Sequence, residues 1–293
     1  MSEKIGNRII RLDEVDSTNS YLKGRNDLLQ QHGLVVIADM QTSGRGRVGR
    51  EFVSLRGKNL TFSVVLHPEL PLGEIQVLSL LAGVAVSRVL EKYLNKIRLK
   101  WPNDVLVCEK KICGILLEAI TIPEKSFPVL VMGIGLNTKG CLNDYPEKLQ
   151  DIVTTIESEI SRNFKIVSET ETAPDLENET VFQQLLLELE CCMEEFSGGS
   201  ENLRELNNSA SGYSALLQEW LQRAQAIGRK VHSLRDAEEM AKDTGTVGTI
   251  EGLTKDGYLQ IRTETGHIMT HVSGDILDRE GGNNDSNSGH RKQ

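Results

Sequence analysis

One short segment combines positive charge with conformational freedom. Three arginines and three glycines share seven residues, Gly44-Arg45-Gly46-Arg47-Val48-Gly49-Arg50. Arginine keeps its charge and presents a planar fork of N–H donors that suits carboxylates and phosphates. Glycine has no side chain and adopts positive φ freely, so its backbone can approach a ligand closely. The segment predicts a loop that closes over an anion, although a solvated basic turn or an RNA-tracking segment would have the same composition.

The charge of this segment contrasts with that of the whole chain. The 293 residues carry a formal net charge of −9, which argues against general nucleic-acid binding because such proteins favour a basic surface. Residues 44–56 hold four arginines and one glutamate, a local excess of +3. A local excess within an acidic chain indicates a binding site rather than an effect on solubility.

The cysteine pattern and the N-terminal sequence indicate a reducing compartment. None of the five cysteines forms a CxxC pair, so the sequence predicts neither a disulfide framework nor a zinc site. The first ten residues lack a hydrophobic signal core, and no uninterrupted run of 18 apolar residues occurs. We therefore expect a cytoplasmic protein without a membrane segment.

Polar residues lie where the predicted strands end. Ser17-Thr18-Asn19 follows a strand at 8–12 and suits a helix N-cap, where the same side chains could face a ligand. A buried-type strand at 34–39 leads to Gln41 and the arginine-rich loop. The carboxyl ends of strands are a common place for sites in α/β proteins, so these residues are candidates for ligand binding.

Five later positions could also do chemistry. Asp104 follows a Pro-Asn turn and could bind a metal or join a phosphate network, or form only an Asx turn. Lys111 opens an apolar strand and is either a functional cation or an exposed turn lysine. Gly133 and Gly135 follow a strand at 129–132 and would clear one face for a ligand. Asn137 could bind a ligand or close a turn.

The remaining pattern divides the chain into domains. We expect a first domain over 1–227, with a core helix at 72–94 and an acidic insert near 145–205. Closely spaced short strands then predict a small SH3-like barrel over 228–280. The polar residues 281–293 are expected to form a disordered tail.

Together these blocks resemble the biotin protein ligases. The resemblance rests on Ser17-Thr18-Asn19, Gln41, GRGRVGR at 44–50, KWPNDV at 100–105, KICGIL from Lys111, and GIGLN at 133–137. It implies an α/β (α+β) catalytic domain with a mixed sheet packed on helices, followed by the SH3-like domain. It also implies ATP-dependent ligation of biotin, through biotinyl-AMP and with Mg²⁺, to a lysine of biotin carboxyl carrier domains.

The resemblance assigns roles residue by residue. It makes Arg47 and Lys111 catalytic. The residues it assigns to biotin are Ser17, Thr18, Asn19, Gln41, Arg45, Gly46, Arg47, Lys111, Gly133 and Gly135. Those assigned to ATP or the adenylate are Arg47, Arg50, Phe52, Lys111, Asn137 and Arg279. Asp104 would contact the metal indirectly. Phe52 stands where the family often has tryptophan. The phenylalanine keeps an aromatic ring at this position but lacks the indole N–H.

Two further expectations concern partners, and two other functions stay open. Some bacterial members carry an N-terminal DNA-binding module; we expect none here, and neither nucleic acid nor membrane as a partner. An enzyme of the lipoate/octanoate class would share the fold and the lysine. A non-catalytic module that senses biotin or binds RNA would share the arginine-rich loop.

Overall fold

The computed structural model describes residues 4–167, 176–203, 215–235, 239 and 244–278. Residues 168–175, 204–214, Arg279 and the predicted tail at 281–293 lie outside the described residues. Contacts divide the chain into two compact units. One comprises Met1–Gln225 with Lys255–Gly257, and the other comprises Ala226–Thr254 with Tyr258–Gln293.

The first unit contains seven strands and seven helices among its described residues. The strands are β1 (Arg8–Val15), β2 (Leu34–Gln41), β3 (Asn59–Leu66), β4 (Ile97–Lys100), β5 (Asp104–Val107), β6 (Lys110–Ile120) and β7 (Val129–Asn137). The helices are α1 (Thr18–Lys23), α2 (Asn26–Leu29), α3 (Gln76–Leu90), α4 (Glu147–Gln150), α5 (Ile156–Val167), α6 (Asn178–Leu203) and α7 (Ala215–Ala224).

The seven strands form one mixed sheet in the order β1-β2-β3-β7-β6-β5-β4. Only β1 and β2 run parallel, and every other neighbouring pair is antiparallel. β7 continues five residues beyond the predicted strand at 129–132, through both glycines to Asn137. It does so because β3 and β6 pair with it along its length, which satisfies the backbone on both sides.

Helices α3, α6 and α7 pack together over one face of the sheet. Phe62 of β3 meets Phe182 of α6 edge to face, with the ring centroids 5.2 Å apart. Part of the predicted acidic insert is therefore core structure, since α6 lies within it. Among the described residues, the helical stretch Leu72–Leu90 is long and apolar enough to cross a membrane, but 67% of that window is buried, as expected of a core helix.

The opposite face of the sheet is covered only in part by α1 and α2. Leu22, Leu28 and Leu29 from these helices pack against strand residues such as Val65 and Val131. Further along β3 and β7 on the same face, Ser63 lies opposite Gly133 and Thr61 lies opposite Gly135. The apolar covering therefore ends where the polar and glycine positions begin.

The second unit contains a five-stranded antiparallel sheet, in the order β11-β10-β9-β8-β12. Its strands are β8 (Lys230–Leu234), β9 (Thr246–Leu253), β10 (Leu259–Thr263), β11 (Ile268–His271) and β12 (Asp275–Asp278). This agrees with the expected SH3-like domain. The sequence did not predict β12, whose four residues include two aspartates and which depends on pairing with β8.

Candidate functional site

Three glycines leave the centre of the mixed sheet without side chains on one face. Gly114 of β6 pairs directly with Gly135 of β7, and Gly133 pairs with Leu116 two residues further on. Directly paired residues share a face, and so do residues two apart on one strand. Gly114, Gly133 and Gly135 therefore form one surface, here called the glycine patch.

Three predicted site residues fill the space above the glycine patch. A Cβ atom added to Gly133 would lie 2.4 Å from Asn19 Oδ1, and one added to Gly135 would lie 2.6 Å from Phe52 Cζ. A Cβ atom added to Gly114 would lie 3.0 Å from Lys111 Nζ. The patch thus brings together the α1 polar residues, the end of the arginine-rich loop and the lysine.

A β-bulge turns Lys111 toward the patch. Val105 pairs with Cys113 and Leu106 pairs with Lys111, so Ile112 is the extra residue of β6. Such a bulge re-aims the neighbouring side chain. The Lys111 backbone is held by its N–H to Ile152 O (2.8 Å) and by its carbonyl, which accepts from Thr154 N (2.9 Å). The lysine is therefore anchored, not a mobile turn residue.

Asp104 is the immediate partner of Lys111. It pairs with Gly114 across β5 and β6, and its Oδ1 lies 2.6 Å from Lys111 Nζ. Within the described part of the chain, no group of three His, Cys, Asp or Glu side chains could hold a metal ion. The Asp104 carboxylate can therefore supply one ligand at most to a metal held mainly by a substrate. Burial raises the pKa of the nearby Cys113 thiol even though Lys111 opposes this, so that thiol stays protonated.

The α1 residues form a polar pocket with β2 and β3. Ser17 caps α1, and Gln41 Oε1 accepts from Thr18 N at 2.8 Å. Ser63 Oγ lies 2.6 Å from both Thr18 Oγ1 and Asn19 Oδ1. All five side chains are nearly buried, so their polar groups are held in fixed directions. We call this set, which is Ser17, Thr18, Asn19, Gln41 and Ser63, the polar pocket.

Ser63 was missed in the sequence because it lies in the apolar run LTFSVVL. Its only signal there was the alternation with Thr61, which places two hydroxyls on one face of β3. Glu118 of β6 was missed as well, since it ends a strand that looks apolar. Its Oε2 accepts from Asn19 Nδ2 at 2.9 Å, and its Oε1 lies 2.7 Å from Lys23 Nζ.

The arginine-rich loop is a β-hairpin that lies beside the polar pocket. Arg45 pairs with Glu51, Gly46 N donates to Arg50 O (2.7 Å), and Phe52 N donates to Gly44 O (2.9 Å). At the tip, Val48 has φ 51° and Gly49 has φ 73°. Positive φ at both central positions is the geometry of a type I′ turn, which glycine tolerates and a β-branched residue disfavours.

The arginines of this loop point to different places. Arg45 NH1 lies 3.5 Å from Glu118 Oε1. The Arg47 guanidinium lies 6.0 Å from the centroid of the Trp101 ring, at the limit of a cation–π contact. Arg50 is exposed. The three arginines of the loop are thus directed to the sheet, to the Trp101 ring and to the surface.

Asn137 lies at the end of β7, where its amide is already engaged. Its Oδ1 accepts from Asn59 Nδ2 (2.9 Å) and its Nδ2 donates to Thr154 O (3.1 Å). Asn59 also donates to Tyr145 Oη at 3.0 Å, and burial raises the pKa of Tyr145 to about 12. The segment after β7 is thus tied to both Asn137 and Lys111.

Two family models match the sequence. The biotin/lipoate A/B protein ligase family matches residues 12–137, and the biotin protein ligase C terminal domain matches residues 239–277. The bifunctional ligase/repressor BirA of Bacillus subtilis (strain 168) is 36% identical over 156 residues, which is 53% of this chain and 48% of that protein. BirA of Escherichia coli (strain K12) is 28% identical over 272 residues, covering 92% of this chain and 74% of that protein.

A solved structure has the same fold. The biotin protein ligase from Aquifex aeolicus in complex with biotin and ATP aligns with a TM-score of 0.68 and 29% identity, over 94% of this chain and 99% of that chain. The match to the Bacillus subtilis relative spans about half of that protein's length. The expected mixed-sheet fold and the resemblance stated from the motifs are confirmed by these matches.

Proposed function

Because this chain belongs to the biotin protein ligase family, we propose that it joins biotin to a lysine of biotin carboxyl carrier domains at the expense of ATP. The observation that carries this proposal is the glycine patch with Lys111 at one end and the polar pocket at the other. An acid that spans the two ends can bring its polar ring to the pocket and its carboxylate to the lysine.

The polar pocket suits the ureido ring of biotin. That ring presents one carbonyl oxygen and two N–H groups, and so needs both donors and acceptors at fixed positions. Ser17 and Thr18 hydroxyls can do either, and Asn19 and Gln41 carry amide groups. Since these side chains are buried and each already makes a hydrogen bond within the protein, little conformational entropy is lost when the ring binds.

The first step needs positive charge at the other end of the patch. A carboxylate oxygen of biotin attacks the α-phosphorus of ATP, and pyrophosphate leaves to give biotinyl-AMP. Both reactants are anions and repel each other, so fixed cations lower the free energy needed to bring them together. We assign this role to Lys111 and Arg47, with Arg50 for the outer phosphates. Mg²⁺ would neutralise the phosphates, and Asp104 would contact it indirectly.

In the second step a lysine of the carrier domain attacks the acyl carbonyl of biotinyl-AMP. The new amide bond forms, AMP leaves, and the attacking amine loses a proton. Lys111 stays beside the carbonyl and the phosphate oxygens and stabilises the charge that develops there. Phe52 and Asn137 are assigned to the adenine side, and Gly46, Gly133 and Gly135 to close backbone approach. We place the reaction in the cytoplasm.

The experiment is biotin-dependent ATP–pyrophosphate exchange with a matched pair of lysine variants. Lys111→Ala removes the ammonium over Gly114, and exchange should fall by about 10²–10³-fold, as when one preorganised charge donor is removed from a site. Lys110→Ala is the control, since Lys110 Nζ is directed instead to Gln150 O at 3.2 Å. The control should keep exchange within about twofold of the wild type.

The other readings have their own outcomes. Exchange with lipoate but not with biotin would favour the lipoate class of ligase. No exchange with either acid, in a protein that still binds biotin, would favour a non-catalytic sensor. Transfer of labelled biotin to a purified carrier domain then tests the second step. If exchange is intact but no biotin is transferred, the assignment of carrier domains as the acceptor is wrong.

A further inference from the structure

We propose that Glu118 is a positioning residue that holds the arginine-rich loop (residues 44–50) against the polar pocket. It pairs with Arg45 on the loop while fixing the amide of Asn19 in the pocket. The inference rests on the proposed biotin ligase activity, because the effect on substrate is expressed through biotin. It assigns a role to an acid that the sequence motifs did not mark.

Glu118 lies on the same face of the sheet as the glycine patch. It is four residues from Gly114 on β6, and positions two and four apart on a strand share a face. Its side chain is only 18% exposed. A carboxylate so far removed from water needs partners for its charge. Those partners come from α1 and from the loop, and not from β6 itself.

One oxygen of Glu118 fixes Asn19. Oε2 accepts from Asn19 Nδ2 at 2.9 Å, so the opposite amide orientation would bring two oxygens together. Asn19 Oδ1 is thereby turned to Ser63 Oγ and to the space over Gly133. Since Asn19 Oδ1 can only accept, Ser63 donates its single proton to it. Glu118 therefore determines which way the Asn19 amide and the Ser63 hydroxyl are oriented in the polar pocket.

The other oxygen of Glu118 is shared by two cations. Oε1 lies 2.7 Å from Lys23 Nζ and 3.5 Å from Arg45 NH1. Lys23 ends α1, whereas Arg45 begins the loop. The Arg45 side chain is 47% exposed, and a pair of this exposure contributes about 1 kcal/mol or less. The Arg45 charge is thus directed to Glu118 on the sheet.

A weak ion pair can change the conformation of the loop measurably, because the loop by itself has little preference for the closed hairpin. Its three glycines favour many backbone conformations, and the strained φ of Val48 works against the observed hairpin. For two conformations of similar free energy, about 1 kcal/mol changes the ratio of their populations about fivefold. Glu118 therefore raises the population of the closed loop relative to the open one.

The test combines a double-mutant cycle with proteolysis of the intact chain. The variants are Glu118→Gln, Arg45→Gln and both together; Glu179→Gln is the control, since Glu179 pairs with Arg11 at 2.8 Å with both side chains 54% exposed. Trypsin cleavage after Arg47 and Arg50 is followed by mass spectrometry without ligand. Exchange kinetics then give KM for biotin and kcat for each variant.

Both single variants should speed cleavage of the ligand-free loop, and Glu118→Gln should raise KM for biotin, each by at most about fivefold. In Glu118→Gln, kcat should stay within about twofold, because that variant removes no group assigned to the substrate. The double variant should be no worse than Glu118→Gln alone, since both changes break one contact. Glu179→Gln should match the wild type.

Three results would overturn the proposal. These are loop cleavage at the wild-type rate in Arg45→Gln, single effects that multiply in the double variant, and a loss of kcat with KM unchanged in Glu118→Gln. Should Glu118→Gln fail to fold, ligand-free cleavage of Arg45→Gln still decides, because that side chain is half exposed and the readout involves no biotin. If the wild type shows no biotin-dependent exchange, the proposed function fails, while ligand-free cleavage still tests the loop contact.

Discussion

Lys111 Nζ lies 2.6 Å from Asp104 Oδ1, and it reaches that position because Gly114 has no side chain. The lysine extends from the bulge over Gly114, and the aspartate stands directly opposite Gly114 on β5. The pair fixes the direction of the lysine side chain before substrate arrives. Its two members come from separate hairpin strands, so neither residue alone defines the site.

We predict that Asp104→Asn lowers exchange by about tenfold or more, because the amide keeps the size of the carboxylate but no longer fixes the ammonium by charge. The change should appear in kcat, with KM for biotin near the wild-type value. Glu109→Gln, an exposed acid of the same hairpin that pairs with Arg98, is the control. An unchanged kcat in Asp104→Asn would show that Lys111 needs no partner.

Two alanine substitutions in the glycine patch should have different effects. Gly114→Ala places its Cβ 3.0 Å from Lys111 Nζ and displaces this ammonium from Asp104, but the long side chain can adjust, so kcat should fall while the melting temperature stays within about 2 °C. Gly133→Ala places its Cβ 2.4 Å from Asn19 Oδ1, which Ser63 and Glu118 hold in place. That variant should lose affinity for biotin.

Calorimetry with biotin titration and exchange kinetics separate these two predictions. Gly73→Ala is a suitable control because its added Cβ meets nothing within 4 Å. Equal losses of biotin affinity in Gly114→Ala and Gly133→Ala would contradict the assignment of the two ends of the patch.

The Glu118 carboxylate should make stability depend on pH. Burial tends to raise the pKa of Glu118, but hydrogen bonds from Lys23 and Asn19, together with the charge of Arg45, leave it below its ordinary value. A carboxyl group whose pKa is lowered by folding stabilises the protein above its unfolded pKa. That contribution is lost as the pH falls through the lower, folded pKa.

The free energy of unfolding of the wild type should therefore exceed that of Glu118→Gln at neutral pH. The difference should shrink as the pH falls below about 4.3, the ordinary pKa of glutamate. Urea unfolding at a series of pH values measures it. A difference that grows on acidification would mean that the pKa of Glu118 is raised by folding.

Several features could be predicted from the sequence because they depend on local patterns. The buried strand to Gln41, the N-cap at Ser17 and the core helix at 76–90 follow from hydrophobic periodicity and capping chemistry. The family resemblance rested on motifs whose residues are close in the chain. The strand β12 could not be found in this way, since its stability depends on β8, some 40 residues away.

The sequence by itself determined which groups are present: the arginines of the loop, the lysine, the polar residues of α1 and the glycines of β7. Tertiary structure decided where their charges point. Only strand pairing places Gly114 beside Gly135, directs Arg45 to Glu118 and Lys111 to Asp104, and brings Ser63 under α1. The physical reason is that pairing register and a bulge determine the face on which each side chain lies, and these depend on partners distant in the chain.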